Sequence, residues 1–243
     1  MWARDRREVW GLPVTPVTQA IARCEEVLRE TRGDRTVENH MFHALAHLRA
    51  RLGEFDVARD LAHRYRVALW ESGRVVSSWW GAEVSADIEM IAGNPAGAAN
   101  ALQEASLNVE GVNADVQAWL NVFLARAMAV MGRIPEAEQA AEMAIKGSED
   151  AFRALAQAAL ARVRAVQGRH DHAARLIDEV TDAFAGTDFV PFRADVLVDR
   201  ADVMRLAGRP DEAAAAAREA LDLYEIKGDV VSAARIRAQM AGA

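Results

Sequence analysis

Cysteine is almost missing from this chain: Cys24 stands alone among 243 residues. One thiol allows neither an internal disulfide nor a thiolate zinc site, and it fits a reducing compartment. Lysine is nearly missing too. Lys146 and Lys227 are the only two, so arginine supplies almost all of the 29 basic side chains, a bias we attribute to genome composition. Aromatic residues make up 6%, which with abundant alanine suits close helix packing better than a sheet core. An excess of positive charge is also lacking: the net charge is −7 and the isoelectric point about 5.4. Binding to nucleic acid through a basic stripe is therefore excluded, and the short cluster Arg4, Arg6 and Arg7 does not alter that. No apolar run reaches the length of about 18 residues that a membrane span needs. Met1 is not followed by an apolar leader segment, so a cytoplasmic protein is expected. There is no G-x-x-x-x-G-K-[ST] loop and no Ser/His/Asp arrangement, so no catalytic residue, cofactor or metal is expected. A linker rich in Pro, Gly or Ser is absent as well. Residues 15–243 thus read as one repeat domain behind a lead-in of residues 1–14, in which Trp2 and Trp10 could pack.

What the chain does have is a core-forming balance of 51% hydrophobic and 27% charged residues and a regular punctuation. Glycine recurs at Gly33, Gly53, Gly73, Gly93, Gly111, Gly132, Gly147, Gly168, Gly186, Gly208 and Gly228. Glycine ends helices because it takes the left-handed conformation without a Cβ penalty. These stops predict about twelve helices joined by short turns, the mark of a helical repeat array. From Gly53 onward, alternate glycines are spaced 40, 39, 36 and 40 residues apart. Seven residues before each stands alanine (Ala46, Ala86, Ala125, Ala161, Ala201), and five after each stands alanine again (Ala58, Ala98, Ala137, Ala173, Ala213). Two helices joined at a glycine turn approach closely only if the facing residues are small.

The helices are expected at 16–31, 36–52, 55–72, 77–92, 95–109, 114–131, 134–146, 149–167, 170–185, 189–207, 210–226 and 229–241. Thr15 ahead of Pro16, Ser148 ahead of Glu149 and Asp150, and Asp229 after Gly228 are the expected N-caps. Pro95, Pro135 and Pro210 fall at helix starts, where a missing N–H is tolerated.

The spacing around Leu52-Gly53-Glu54-Phe55-Asp56 and Ala58 resembles tetratricopeptide (TPR) repeats, with a longer period than their usual 34 or so. The expected fold is an all-α, TPR-like α-solenoid of about twelve antiparallel helices, arranged as five pairs plus an N-terminal and a C-terminal helix. The stretches Thr187 to Leu197, Leu206 to Ala213 and Ala220 to Asp229, with the opening from Thr15 to Glu25, extend the likeness over residues 11–241. They resemble the C-terminal helical region of large bacterial signalling ATPases, many of which carry an adenylate/guanylate cyclase domain, and of related ATP-dependent transcription regulators. That resemblance implies a non-catalytic sensor or partner-binding region. It carries no cyclase or ATPase activity onto these residues.

In TPR arrays the first helix of each pair lines the concave face. Counting back from the glycines, the resemblance places a groove at His40, His43 and His47, then Trp80, Glu83 and Asp87, then Trp119, Val122 and Arg126, then Leu155, Ala158 and Arg162, then Asp195, Val198 and Asp202, with Arg205 one turn on. Tryptophan and arginine are common interface anchors, so a protein or peptide ligand with an acidic element near Arg126 and Arg162 is the expected partner. On this reading, replacing both arginines by alanine would spare the fold. Trp80 and Trp119 serve equally well as packing between repeats.

The alternative is a freestanding adaptor with a metal or small-molecule site at His40, His43 and His47. These share one helix face, with His63 as a further ligand. Cys24 shares a face with Ile21 and Leu28 and reads as a buried hydrophobe. The last helix mixes Val230, Val231, Ile236 and Met240 with Arg235 and Arg237. It reads equally as a polar cap or as a self-association surface for a homo-oligomer.

Overall fold

The computed structural model describes residues 14–71, 78–109, 114–148 and 150–242. The expectations for Trp2, Trp10, the Arg4–Arg7 cluster, Gly73, Gly111 and Glu149 lie outside them. Twelve helices follow one another among the described residues: α1 (Val17–Glu30), α2 (Arg35–Arg51), α3 (Phe55–Glu71), α4 (Ser78–Ile91), α5 (Pro95–Val109), α6 (Ala114–Val130), α7 (Ile134–Gly147), α8 (Asp150–Val166), α9 (His170–Ala185), α10 (Val190–Leu206), α11 (Pro210–Lys227) and α12 (Val230–Ala241). The bounds fall within a residue of those expected, and no strand occurs among the described residues. The fold is the all-α, TPR-like solenoid.

The turn inside each pair is built by one device. Gly53 has φ +81°; its N–H donates to Ala50 O at 2.9 Å, and the N–H of Glu54 donates to Arg49 O at 3.0 Å. These two bonds satisfy carbonyls that the helix end leaves open, and they need a left-handed residue between them. The same pair of bonds closes at Gly93, Gly132, Gly168, Gly208 and Gly228, each with positive φ.

Three of the regular glycines depart from this pattern. Gly33 has φ +93°, but its N–H donates to Glu38 Oε1 at 3.1 Å. Gly147 is still helical, and a Cβ there would stand 2.5 Å from Ala118 Cβ. Glycine at that point permits close approach of α7 to α6. Gly186 has φ −95° and open space around it, and nothing in the structure explains it. The caps also differ in part. Pro16, not Thr15, is the N-cap of α1, and Ser148 closes α7 as its C-cap. Asp229 caps α12 as expected, accepting from Ser232 N at 2.9 Å.

All ten alanines of the repeat are buried. They form the seam along which the paired helices meet. The first helices of the pairs, α2, α4, α6, α8 and α10, pack side by side as an inner layer, while α3, α5, α7, α9 and α11 lie outside it. Side chains shared between layers make a chain of apolar clusters, the largest around Leu102, Leu120, Met128 and Val163 and around Ile177, Val180, Val203 and Met204.

The array closes on itself. Helix α12 packs against α2, with Val231 joining the cluster of Ala46, Ala58 and Tyr65. Arg51 Nη1 donates to Asp229 Oδ2 at 2.7 Å across 178 residues of sequence. Lys227 Nζ donates to Thr15 O at 2.7 Å, and Arg235 Nη1 reaches Met90 O at 3.4 Å. The last helix, read from sequence as a cap or a self-association surface, buries Ala233 and Ile236 within the chain and leaves Val230 and Met240 exposed.

Candidate functional site on the inner face

Closure turns the expected open groove into a small cavity of about 170 Å³. Its walls come from α2, α4, α6 and the start of α10, with Lys227 at the end of α11. Leu48, Met90, Phe123, Phe189 and Phe192 give it an apolar side, and His43, His47, Glu83, Asp87, Arg126 and Asp195 a charged one. Six of the residues predicted for the groove therefore do meet at one place: His43, His47, Glu83, Asp87, Arg126 and Asp195.

Their meeting follows from helix periodicity. His43 and His47 are one turn apart on α2, Glu83 and Asp87 one turn apart on α4, so the two pairs face each other across adjacent inner helices. Glu83 Oε2 lies 3.8 Å from His43 Nε2 and 3.7 Å from His47 Nε2. The other ring nitrogen of His47, Nδ1, is 2.6 Å from Asp87 Oδ2. Burial opposes charge on every one of these groups, yet the acids win at His47: Glu83 and Asp87 hold its imidazole up at about 10. Burial would raise the Glu83 carboxyl, but the His47 charge and the two imidazoles hold it down at about 2. At His43 burial prevails and lowers the pKa. The resting cluster is thus a charged His47 between two carboxylates, beside a neutral His43. The His43 ring packs edge-on to Tyr65 and His47, each at 4.9 Å between centroids.

A second charged line runs towards the C-terminal helices. Arg51, between Asp87 at 3.7 Å and Asp229 at 2.7 Å, links the histidine cluster to the closure. Arg126 Nη1 donates to Asp195 Oδ2 at 2.7 Å. Asp195 Oδ1 accepts from the Tyr224 hydroxyl at 2.6 Å, a phenol that burial, then Asp195, holds well above its ordinary value. Arg162 Nη1 lies 2.9 Å from both Asp199 Oδ1 and Asp202 Oδ2, and Arg205 pairs with Asp202.

Arg126 and Arg162, read from sequence as anchors for an acidic partner, are therefore already engaged by acids of α10, and Asp199 is 3% exposed. Breaking such part-buried pairs strands a carboxylate, so alanine at both positions is expected to cost stability, against the reading from sequence.

Three further readings change. Trp119 is buried at 8% exposure, its ring 4.5 Å from Trp79 and 4.7 Å from Phe123. Trp80 stacks on Trp79 at 4.1 Å. Both tryptophans belong to the apolar packing between repeats and do not line the cavity. His40 turns back to its own helix, Nδ1 against Thr36 O at 2.8 Å, so the triad His40, His43 and His47 does not assemble, and Glu83 from the next repeat stands in its place. His63 is exposed on α3 and lines a separate surface depression with Arg66, Val67 and Trp70.

Sequence reading missed Arg51, Asp199, Tyr224, Lys227 and Asp229 as members of this network. Asp195, Asp199 and Asp202 fall at helical spacing on α10 opposite Arg126 and Arg162, a complementarity visible in the sequence. Arg51, Lys227 and Asp229 meet only because the array closes, and no local signal announces that.

No family model matches this chain, and no curated protein matches it. Solved structures do. The chain is similar to the crystal structure of BtubC (BKLC) from P. vanneervenii at 19% identity and a TM-score of 0.61, with 94% of each chain covered, a likeness of fold.

Proposed function

We propose that this chain is a non-catalytic regulatory and interaction module, of the kind that accompanies a signalling ATPase, cyclase or transcription regulator, and that it takes its ligand at the inner-face cavity. The observation that carries the reading is the cavity's composition. An aromatic wall from Phe123, Phe189 and Phe192 faces histidines, acids and an arginine drawn from separate repeats, so an occupant would touch the N-terminal and C-terminal halves of the array together. At about 170 Å³ the space accepts one large side chain of a peptide or one small molecule, since an engineered cavity of about 150 Å³ holds benzene. A long peptide laid along the whole inner face would first have to displace the ion pairs of Arg51, Arg126 and Arg162.

The test is affinity capture from source-cell lysate with the wild type and with Phe189→Glu. Phe189 is 42% exposed, so this change charges the cavity mouth without removing a buried side chain. A partner recovered by the wild type and lost by the variant, with unchanged circular dichroism, supports the reading. Equal recovery by both would sink it.

A further inference from the structure

We propose that His43, His47 and Glu83 form a binding site for a divalent transition metal of the zinc class, with Asp87 as the residue that orients His47. The inference goes beyond the partner-binding reading and does not depend on it. One ring nitrogen of His43, one of His47 and a Glu83 carboxylate oxygen all lie within 4.8 Å of one another, and both Nε2 atoms face Glu83 Oε2. Glu83 is 7% exposed, and its Oε2 makes no hydrogen bond among the described residues. Its separations of 3.8 and 3.7 Å from the two imidazole nitrogens are too long for hydrogen bonds. They are close to what an ion would impose: metal–ligand bonds of about 2.0–2.1 Å in tetrahedral geometry set neighbouring ligand atoms about 3.3 Å apart.

The ligand types narrow the ion. Two imidazoles with one carboxylate suit zinc and its neighbours, whereas magnesium and calcium take oxygen ligands. The surroundings match as well. A ligating histidine ordinarily gives its second nitrogen to a carboxylate, which fixes the tautomer and turns the ring. Asp87 Oδ2, 2.6 Å from His47 Nδ1, occupies that position and is itself held near Arg51 at 3.7 Å. Binding displaces the proton that His47 Nε2 carries in the resting cluster and releases it to solvent. Three protein ligands leave a fourth coordination position for water or a small donor, and all three residues line the cavity, which gives that position room.

The experiment uses the full chain without a polyhistidine tag, stripped with a chelator and dialysed against Zn²⁺. Elemental mass spectrometry should find one ion retained per chain. Glu83→Gln and His47→Gln should each abolish that retention. Asp87→Asn, which touches only the far nitrogen of His47, should weaken it by about 10–100-fold. The double variant His170→Ala/His172→Ala, at exposed positions, should retain the ion as the wild type does. Circular dichroism checks the folding of each variant. A second readout needs no variant: in the histidine NMR spectrum of the wild type, Zn²⁺ should shift the His43 and His47 ring protons and leave His170 and His172 in place. Absence of retention by the wild type, or retention and shifts that follow His170 and His172, overturns the proposal.

Discussion

Lys227 takes its charge into the interior, at 3% exposure, and pH should read that out. Burial, reinforced by Arg51, lowers its pKa from 10.5 to about 8. Below about pH 8 both folded and unfolded chains hold the proton, and the folded state bears the whole penalty of the buried cation. Between about 8 and 10.5 the folded state releases the proton first, the unfolded state binds more protons, and stability rises with pH. Urea unfolding of the wild type and Lys227→Met should therefore diverge in favour of the wild type as pH climbs through this window. A difference independent of pH would refute the burial account. Cys24 offers a simpler check at the same scale. It is 2% exposed, and burial, then Glu25, pushes its thiol up to about 11. Iodoacetamide at about pH 8 should leave the native chain unlabelled and add a single mass increment once the chain is denatured, because the thiolate is the reactive form.

Individual helices depend on which residue stands where they touch or turn. Gly147→Val should destabilise by about 1–3 kcal/mol, because its Cβ would meet Ala118 at 2.5 Å between α6 and α7. Gly186→Ala, where nothing lies within 4 Å of the new atom, should stay within about 0.5 kcal/mol of the wild type. Thermal or urea unfolding of the two variants decides between close approach and turn formation as the reason for each glycine. Sequence alone could not separate these two. The left-handed turns at Gly53, Gly93, Gly132, Gly168 and Gly208 and the buried alanines beside them were legible, because each repeats at fixed offsets and reports a local requirement. Gly147 has the same spacing but a tertiary cause. The site was legible in the same measure. Periodicity brought His43, His47, Glu83 and Asp87 to one face, but whether His40 turns inward or back to Thr36 depends on side-chain torsions that spacing leaves free.

At the scale of the whole molecule, stability should concentrate where the ends meet. Asp229 is fully buried between the N-terminus of α12 and Arg51. Asp229→Asn keeps an oxygen for the cap and removes the charge, leaving Arg51 to Asp87 at 3.7 Å. Loss of one partner from such a pair should lower unfolding free energy by about 3 kcal/mol, measurable by urea titration. Hydrogen exchange should show protection falling on α2 and α12 together, although they are far apart in sequence. This contact was illegible beforehand, since Arg51, Lys227 and Asp229 follow no shared period. It also constrains how such a protein can change. An open solenoid tolerates gain or loss of a unit, because each repeat touches only its neighbours. Here a duplicated or deleted repeat of 36–40 residues would carry α12 past α2, leave Asp229 and Arg51 stranded, and reshape the cavity between them. The number of repeats in this lineage should accordingly be frozen, with variation confined to side chains and to the outer turns.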